Sequence, residues 1–227
     1  MIFISEVGMN YNNNFNLCYE LIRQSKLSGA NIVKFQLGWR DGQDEINNID
    51  ERKLKQLYEW ANYFEISLMF SILKEESLEL IKKFKPTKIK VASRTLKENL
   101  KLAKSIVDLK IETFMSLGMW DNKQNLPFNE KNINYLWCKS EYPTFAQHLK
   151  DFPKNFKYPI VGYSDHCIGI ETCLIAISRG AKIIEKHFTL DKSENIIRDH
   201  ALSATPEEFR QLVNLGTDIE KKINLGI

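Results

Sequence analysis

Tyr163-Ser164-Asp165-His166 and Glu185-Lys186-His187-Phe188-Thr189 hold the residues best suited to chemistry in this chain. Each segment closes an apolar, β-branched run, Ile160-Val161-Gly162 before the first and Ile183-Ile184 before the second. Alternation along a strand puts Ser164 and His166 on one face, and Glu185 and His187 likewise on one face. Two histidines ending consecutive strands, each with a carboxylate beside it, suit a divalent metal: neutral imidazoles ligate and carboxylates orient them. One such histidine would read as a hydrogen-bonded loop residue; two in matched positions read as a site. Cys167 points to the opposite strand face from His166, so it is not expected to act as a nucleophile.

Positioning those segments requires an ordered set of strands, and the chain alternates β-type runs with helical patterns throughout. Strands are expected at 2–7, 31–37, 66–72, 88–92, 112–116, 134–139, 160–164 and 182–187, most of them rich in Ile, Val and Phe. Between them, Leu17, Leu21 and Ile22 show helical spacing that ends at Gly29, and Leu54, Leu57, Tyr58 and Ala61 follow an Asp50 N-cap. Leu78, Leu80, Ile81 and Phe84 mark a third helix stopped by Pro86, and Leu100, Leu102, Ala103 and Ile106 a fourth. A very apolar helix at 173–177 is closed by Gly180, and Thr205-Pro206-Glu207-Glu208 starts the last with a capping box. Helical signal is weak at 121–131 and 144–157. Eight alternating units predict a parallel sheet closed into a single-domain (β/α)8 TIM barrel over residues 1–227. The alternative, an open doubly wound sheet, lacks a Gly-rich nucleotide fingerprint after any strand.

Composition narrows the partners. A net charge of +3, with no basic cluster interleaved with aromatics, argues against nucleic acid. No apolar run approaches the ~20 residues that span a bilayer, so no membrane association is expected. The N-terminus meets Glu6 without a basic leader, so a signal peptide is not expected. The four cysteines show no CxxC pair or zinc spacing, which fits unpaired thiols in a reducing cytoplasm.

In such barrels chemistry sits at the C-terminal strand ends. Read in order, those ends offer Glu6, Lys34 and Gln36, Ser71, Lys90 and Ser93, Ser116, Ser140 and Tyr142, Ser164 and His166, and Glu185 and His187. Polar residues are cheap where strands meet solvent, but Lys34 and Lys90 lie inside β runs, flanked by Val33 and Phe35 or Ile89 and Val91. A lysine buried there needs an anion, either Glu6 or Glu185 or a substrate phosphate or carboxylate. Two lysines, several serines and a two-histidine metal site suggest a small, doubly charged anion facing an electrophile.

Glu6-Val7-Gly8-Met9-Asn10, Val33-Lys34-Phe35-Gln36, Lys90-Val91-Ala92-Ser93, Ser116-Leu117-Gly118-Met119 and Tyr142-Pro143-Thr144 occur in order. Gly162-Tyr163-Ser164-Asp165-His166, Glu185-Lys186-His187-Phe188-Thr189 and Asp199-His200 complete the series. The ordered set, from Ile2 to about Leu215, resembles the sialic acid synthase family of N-acetylneuraminate, legionaminate and pseudaminate synthases. The resemblance implies condensation of phosphoenolpyruvate with an aldose, giving a 2-keto-3-deoxy sugar acid and phosphate. It implies a divalent metal, Mn²⁺ with Mg²⁺ or Co²⁺ as alternatives, on His166 and His187. It also implies phosphoenolpyruvate held by Lys34, Lys90, Ser93, Ser116 and Ser164, with Glu6 near the reaction centre. Gln36, Tyr142 and Asp199 would lie near the sugar.

The chain departs from the family at the acceptor end. Members usually carry a C-terminal antifreeze-like domain that brings an arginine to the sugar across a dimer, whereas this sequence stops at Ile227. The segment 37–50 is short, Ser140 stands where asparagine is usual, and Ile72-Leu73-Lys74 replaces a threonine and proline. Arg94-Thr95 follows Ser93, and Ile197-Arg198-Asp199 replaces Gly-Pro-Asp. Arg198 or Arg40 is expected to stand in for the absent arginine, with a solvated loop cation as the alternative. A homodimer, or a partner chain supplying the missing domain, is expected. Three other functions compete: a Schiff-base aldolase using Lys34 or Lys90, an isomerase or hydrolase that uses the histidine pair without phosphoenolpyruvate, and a non-catalytic or partner-dependent barrel subunit.

Overall fold

The computed structural model describes residues 1–38, 48–122 and 125–227. Its strands are β1 (Ile2–Gly8), β2 (Ile32–Leu37), β3 (Ser67–Ile72), β4 (Lys88–Val91), β5 (Glu112–Ser116), β6 (Ile133–Cys138), β7 (Ile160–Asp165) and β8 (Ile183–His187). They pair in parallel in chain order, and β8 closes on β1, so the chain forms the expected (β/α)8 barrel. Among the described residues seven α-helices surround it: α1 (Leu17–Leu27), α2 (Glu51–Tyr63), α3 (Glu75–Lys82), α4 (Ser93–Glu98), α5 (Leu100–Val107), α6 (Glu171–Ser178) and α7 (Pro206–Asn224).

Local chemistry explains the helix ends. After α1 the backbone turns at Gly29 with φ +89°, which a residue with a Cβ adopts only under strain. Asp50 caps α2 by accepting from the Lys53 amide at 2.7 Å. Thr205 and Glu208 form the capping box of α7, each side chain accepting from the other's backbone N–H. The one unforeseen helix is α4. Asn99, at φ −142° and ψ 72°, ends it and then caps α5 by accepting from the Leu102 amide, so two short helices replace one. Six residues are too few to display an apolar stripe.

The weak helical signal after β5 and β6 is borne out among the described residues, where the second stretch holds only a 3₁₀ turn at Ala146–His148. Aromatic packing covers the outer face there instead. Phe152 packs edge-on against Trp137 and Tyr163, with ring centroids 5.1 and 5.0 Å apart, and Phe156 packs against Phe152 at 5.7 Å.

Two apolar layers result. One lies between strands and helices; the other is a plug inside the barrel made by Ile4, Ile32, Met69, Phe114, Leu136 and Ile183 from six different strands. Gly162 of β7 leaves room for this plug: a Cβ there would lie 2.4 Å from Leu136 Cδ2 and 2.7 Å from Ile183 Cβ. Because side chains alternate along a strand, the plug is also the floor of whatever lies above it.

Candidate active site

Two residues beyond each plug residue, the inward position becomes polar or thiol-bearing. Glu6 stands above Ile4, Lys34 above Ile32, Ser71 above Met69, Ser116 above Phe114, Cys138 above Leu136 and Glu185 above Ile183. They line a cavity of about 770 Å³ at the C-terminal ends of the strands. Gln36, Lys90, Ser93, Ser140, Tyr142, Ser164, His166, His187 and Asp199 line the same cavity. The fold therefore brings the polar residues read from the strand ends, together with Asp199, to one place.

Its floor is a chain of alternating charges. Lys34 Nζ lies 2.5 Å from Glu6 Oε2 and 3.8 Å from Glu185 Oε2, and donates to Ser71 Oγ at 3.0 Å. Lys90 Nζ donates to Glu185 Oε1 at 2.7 Å, and Ser164 Oγ donates to the same oxygen at 2.8 Å. Gln36 Nε2 donates to Glu6 Oε1 at 3.1 Å. Burial pushes the Glu185 carboxyl up, but the ammonium groups of Lys34 and Lys90, with the hydrogen bonds from Lys90 and Ser164, outweigh it and hold the pKa at about 2. Burial pulls the Lys90 pKa down, with Glu185 opposing. Beside this chain, Ser116 Oγ is buried without a hydrogen-bond partner, while Ser93 Oγ accepts from the Gly118 amide at 3.0 Å. The lysines and serines suit a phosphate or carboxylate, which offers the acceptors that Ser116 lacks.

On the adjoining wall the rings of His166 and His187 lie 5.4 Å apart, centroid to centroid. His166 Nδ1 is 2.7 Å from the Lys139 carbonyl, which only accepts, so Nδ1 carries the proton and Nε2 keeps its lone pair. Burial lowers the pKa of both rings; that of His187 falls to about 3, with Asp199 opposing and His166 and Lys34 adding to the shift. Both are neutral at pH 7. The expectation that the neighbouring carboxylates orient the rings is corrected. Asp165 lies on the outer face of β7 and binds Lys186, because adjacent strand residues face opposite ways. Glu185 shares the inner face but is drawn to Lys90 and Ser164. Instead the Lys139 carbonyl orients His166, and the carboxylate nearest His187 is Asp199, whose Oδ2 lies 3.9 Å from Nδ1.

Asp199 comes from a 3₁₀ turn, Arg198–Leu202, beyond β8. His200 pins that turn, its Nδ1 2.7 Å from Thr189 Oγ1 and its Nε2 2.7 Å from Asn12 Oδ1, and Ser203 Oγ donates to the Asp199 carbonyl at 2.6 Å. Tyr142 packs against His166 with ring centroids 4.2 Å apart and planes tilted by 38°. The Arg198 guanidinium carbon lies 4.8 Å from the Tyr142 ring centroid, and its Nε 3.5 Å from Asp199 Oδ1, so Arg198 reaches the cavity. Arg40 lies outside the described residues. Sequence reasoning missed Cys138, whose Sγ is 3.4 Å from Ser93 Oγ, although its place two residues past Leu136 marks it as inward. It also missed Met9, Met119, Glu141, Ile196 and Ile197, which arrive on loops that carry no strand periodicity.

Whether these residues suit a divalent cation can be judged from their donors. The two imidazoles are neutral, and His187 Nδ1 and Asp199 Oδ1 are both buried without a hydrogen-bond partner. No cluster of three His, Cys, Asp or Glu side chains is arranged to hold an ion among the described residues. Neutral imidazole nitrogens and a partnerless carboxylate oxygen are the kinds of donor that a divalent cation takes.

Fold and cavity define an eight-stranded barrel protein with an anion- and imidazole-lined pocket at the C-terminal strand ends. Residues 43–226 match the NeuB family, and the chain belongs to it, as the motif resemblance implied. It is 34% identical to an uncharacterized protein of Methanocaldococcus jannaschii, over 98% of this chain and 72% of that one. It is 29% identical to the N,N'-diacetyllegionaminic acid synthase of Legionella pneumophila, over 98% of this chain and 73% of that one. Among solved structures, it superposes on the N-acetylneuraminic acid (sialic acid) synthetase of Leptospira borgpetersenii with a TM-score of 0.81 at 27% identity, covering 98% and 84% of the two chains. Among the described residues, no helix is long and apolar enough to cross a membrane.

Proposed function

We propose that this protein is a phosphoenolpyruvate-dependent sugar acid synthase. It condenses phosphoenolpyruvate with an aldose, an N-acetylmannosamine-like amino sugar or a related one, and releases phosphate. The observation that carries the reading is the Glu6–Lys34–Glu185–Lys90 chain with the partnerless Ser116, set in one cavity with two neutral histidines. The relatives named as legionaminic and sialic acid synthases support it.

Lys34 and Lys90 bind the phosphate and carboxylate of phosphoenolpyruvate, and Ser93, Ser116 and Ser164 add hydroxyl contacts. A divalent cation on His166 and His187, Mn²⁺ with Mg²⁺ or Co²⁺ as alternatives, would polarise the aldehyde as a Lewis acid. The enol carbon forms the new C–C bond, the aldehyde oxygen takes up a proton, and positive charge develops at the carbon bearing phosphate. Glu6 faces that carbon electrostatically and removes a proton from the water that adds there. The carbon–oxygen bond to phosphate then breaks, the keto group forms, and the lysines retain the charge of the leaving phosphate. Tyr142, Asp199, Gln36 and Arg198 hold the acceptor.

Phosphate release from phosphoenolpyruvate with Mn²⁺, across a panel of aldoses including N-acetylmannosamine, tests the proposal. Aldose-dependent release establishes it; absence of phosphoenolpyruvate binding sinks it. The lowered pKa of Lys90 favours one second reading, a Schiff-base aldolase, which borohydride trapping would reveal. The 2.7 Å contact with Glu185 favours the synthase, because it engages the lysine as an ammonium. Assembly as a homodimer, or with a chain that brings a further arginine to the acceptor, belongs to the same proposal and is read by light scattering.

A further inference from the structure

We infer that the buried Asp165–Lys186 ion pair is a positioning device for the two histidines, an inference that rests on the metal-binding part of the proposed function. Asp165 Oδ2 accepts from Lys186 Nζ at 2.8 Å, and both side chains are completely shielded from solvent. The two residues are direct partners in the β7–β8 register, and each immediately precedes a histidine of the cavity. Neither lines that cavity, so the pair reaches the chemistry only through His166 and His187.

The carboxylate is saturated with donors. Besides Lys186 it accepts from Tyr163 Oη at 2.6 Å, the Cys167 amide at 2.9 Å, Thr172 Oγ1 at 3.1 Å and Cys173 Sγ at 3.3 Å. Lys186 also donates to the Cys167 carbonyl. The peptide groups on the far side of His166 are thus tied to the residue before His187, and α6 is tied to the same point through Thr172 and Cys173.

Strand alternation by itself does not specify this arrangement. A slip of β7 against β8 by one residue would turn His166 outward, but a slip by two would keep every inward side chain inward. The second slip would still separate the imidazoles by two strand positions. It would also leave Asp165 and Lys186 unpaired among Tyr163, Cys173 and the apolar layer beneath α6, where an uncompensated charge is very unfavourable. The pair therefore selects the one register in which the rings lie 5.4 Å apart. Setting register is the best-attested use of buried polar and ionic groups.

Mn²⁺ affinity, measured from the electron paramagnetic resonance signal of the free ion, tests this on folded protein without reference to turnover. The isosteric Asp165→Asn variant and the double variant D165N/K186M both keep an acceptor for Tyr163 and the Cys167 amide while removing the ionic lock. With far-UV circular dichroism confirming the fold, Mn²⁺ should bind about 10–100-fold more weakly in both. Phosphoenolpyruvate binding, which depends on Lys34 and Lys90, should stay within about twofold, since neither contacts the pair. Variants that melt at lower temperature yet bind Mn²⁺ as the parent does would overturn the inference and leave the proposed metal intact. A parent protein that binds no Mn²⁺ would overturn the metal reading and this inference with it.

Discussion

Glu6 and Lys34 stand opposite one another in the β1–β2 register, and their side chains meet at 2.5 Å under almost complete burial. The contact joins the carboxylate nearest the proposed reaction centre to one of the two cations proposed to hold the anion. Each therefore holds the other in place before any substrate arrives. Replacing Glu6 by glutamine preserves its shape, its contact with Gln36 and its reach to Lys34 but removes the base. Turnover in the phosphate-release assay should fall by about 10²–10⁴ while phosphoenolpyruvate still binds.

Ser116 offers a separation of stability from function. Its hydroxyl is buried with no protein partner, so Ser116→Ala removes an unsatisfied polar group. Thermal unfolding should show an unchanged or slightly higher midpoint. The KM for phosphoenolpyruvate should rise about tenfold, the equivalent of one lost hydrogen bond to a charged group. A parallel loss of stability would contradict the assigned role.

Treatment with a chelator should abolish aldose-dependent phosphate release, and Mn²⁺ should restore it. His187→Ala should not be rescued by added Mn²⁺ at concentrations that saturate the parent protein. Rescue would remove His187 from the proposed ligand set.

Arg198 projects over Tyr142 and touches Asp199 from a largely exposed position. Arg198→Ala should raise the KM for the aldose about two- to fivefold, because exposed charged contacts are worth at most about 1 kcal/mol. The KM for phosphoenolpyruvate should not move. Equal effects on both substrates would show that the side chain shapes the whole cavity.

The capping box of α7 makes a pH-dependent contribution to stability. Burial raises the Glu208 carboxyl, but its contacts with Lys192 and Thr205 outweigh this and hold its pKa below the usual 4.5. A depressed carboxylate stabilises the fold fully above its unfolded pKa and loses that contribution as pH falls through the folded one. Glu208→Gln should therefore flatten the acid side of the Tm profile below about pH 4.5. Thr205→Ala, which removes the hydroxyl cap itself, should cost about 1 kcal/mol at neutral pH, or about 2–4 °C in Tm.

The barrel was legible because its signals are local. β-Branched runs, Gly29 and Gly180 after helices, Asp50 and the Thr205 capping box each speak for themselves along the chain. Strand alternation likewise placed Ser164 with His166, and Glu185 with His187, on shared faces before any contact was known. Asn99 shows the limit: nothing in its neighbourhood announces that it ends one helix and caps the next. Loop residues such as Met119 and Ile197 were hidden for the same reason, since no period governs them.

By itself the sequence determined the fold class, the family motifs and most of the polar side chains that share the cavity, because periodicity and order along the chain encode them. Only the tertiary structure decided who partners whom. Asp165 was free on paper to serve His166, and Glu185 to serve His187; register and competing cations sent Asp165 to Lys186 and Glu185 to Lys90, and brought Asp199 from a distant turn beside His187. Such pairings depend on distances between strands far apart in sequence, and electrostatic competition within a buried site is settled only once all its charges are in place.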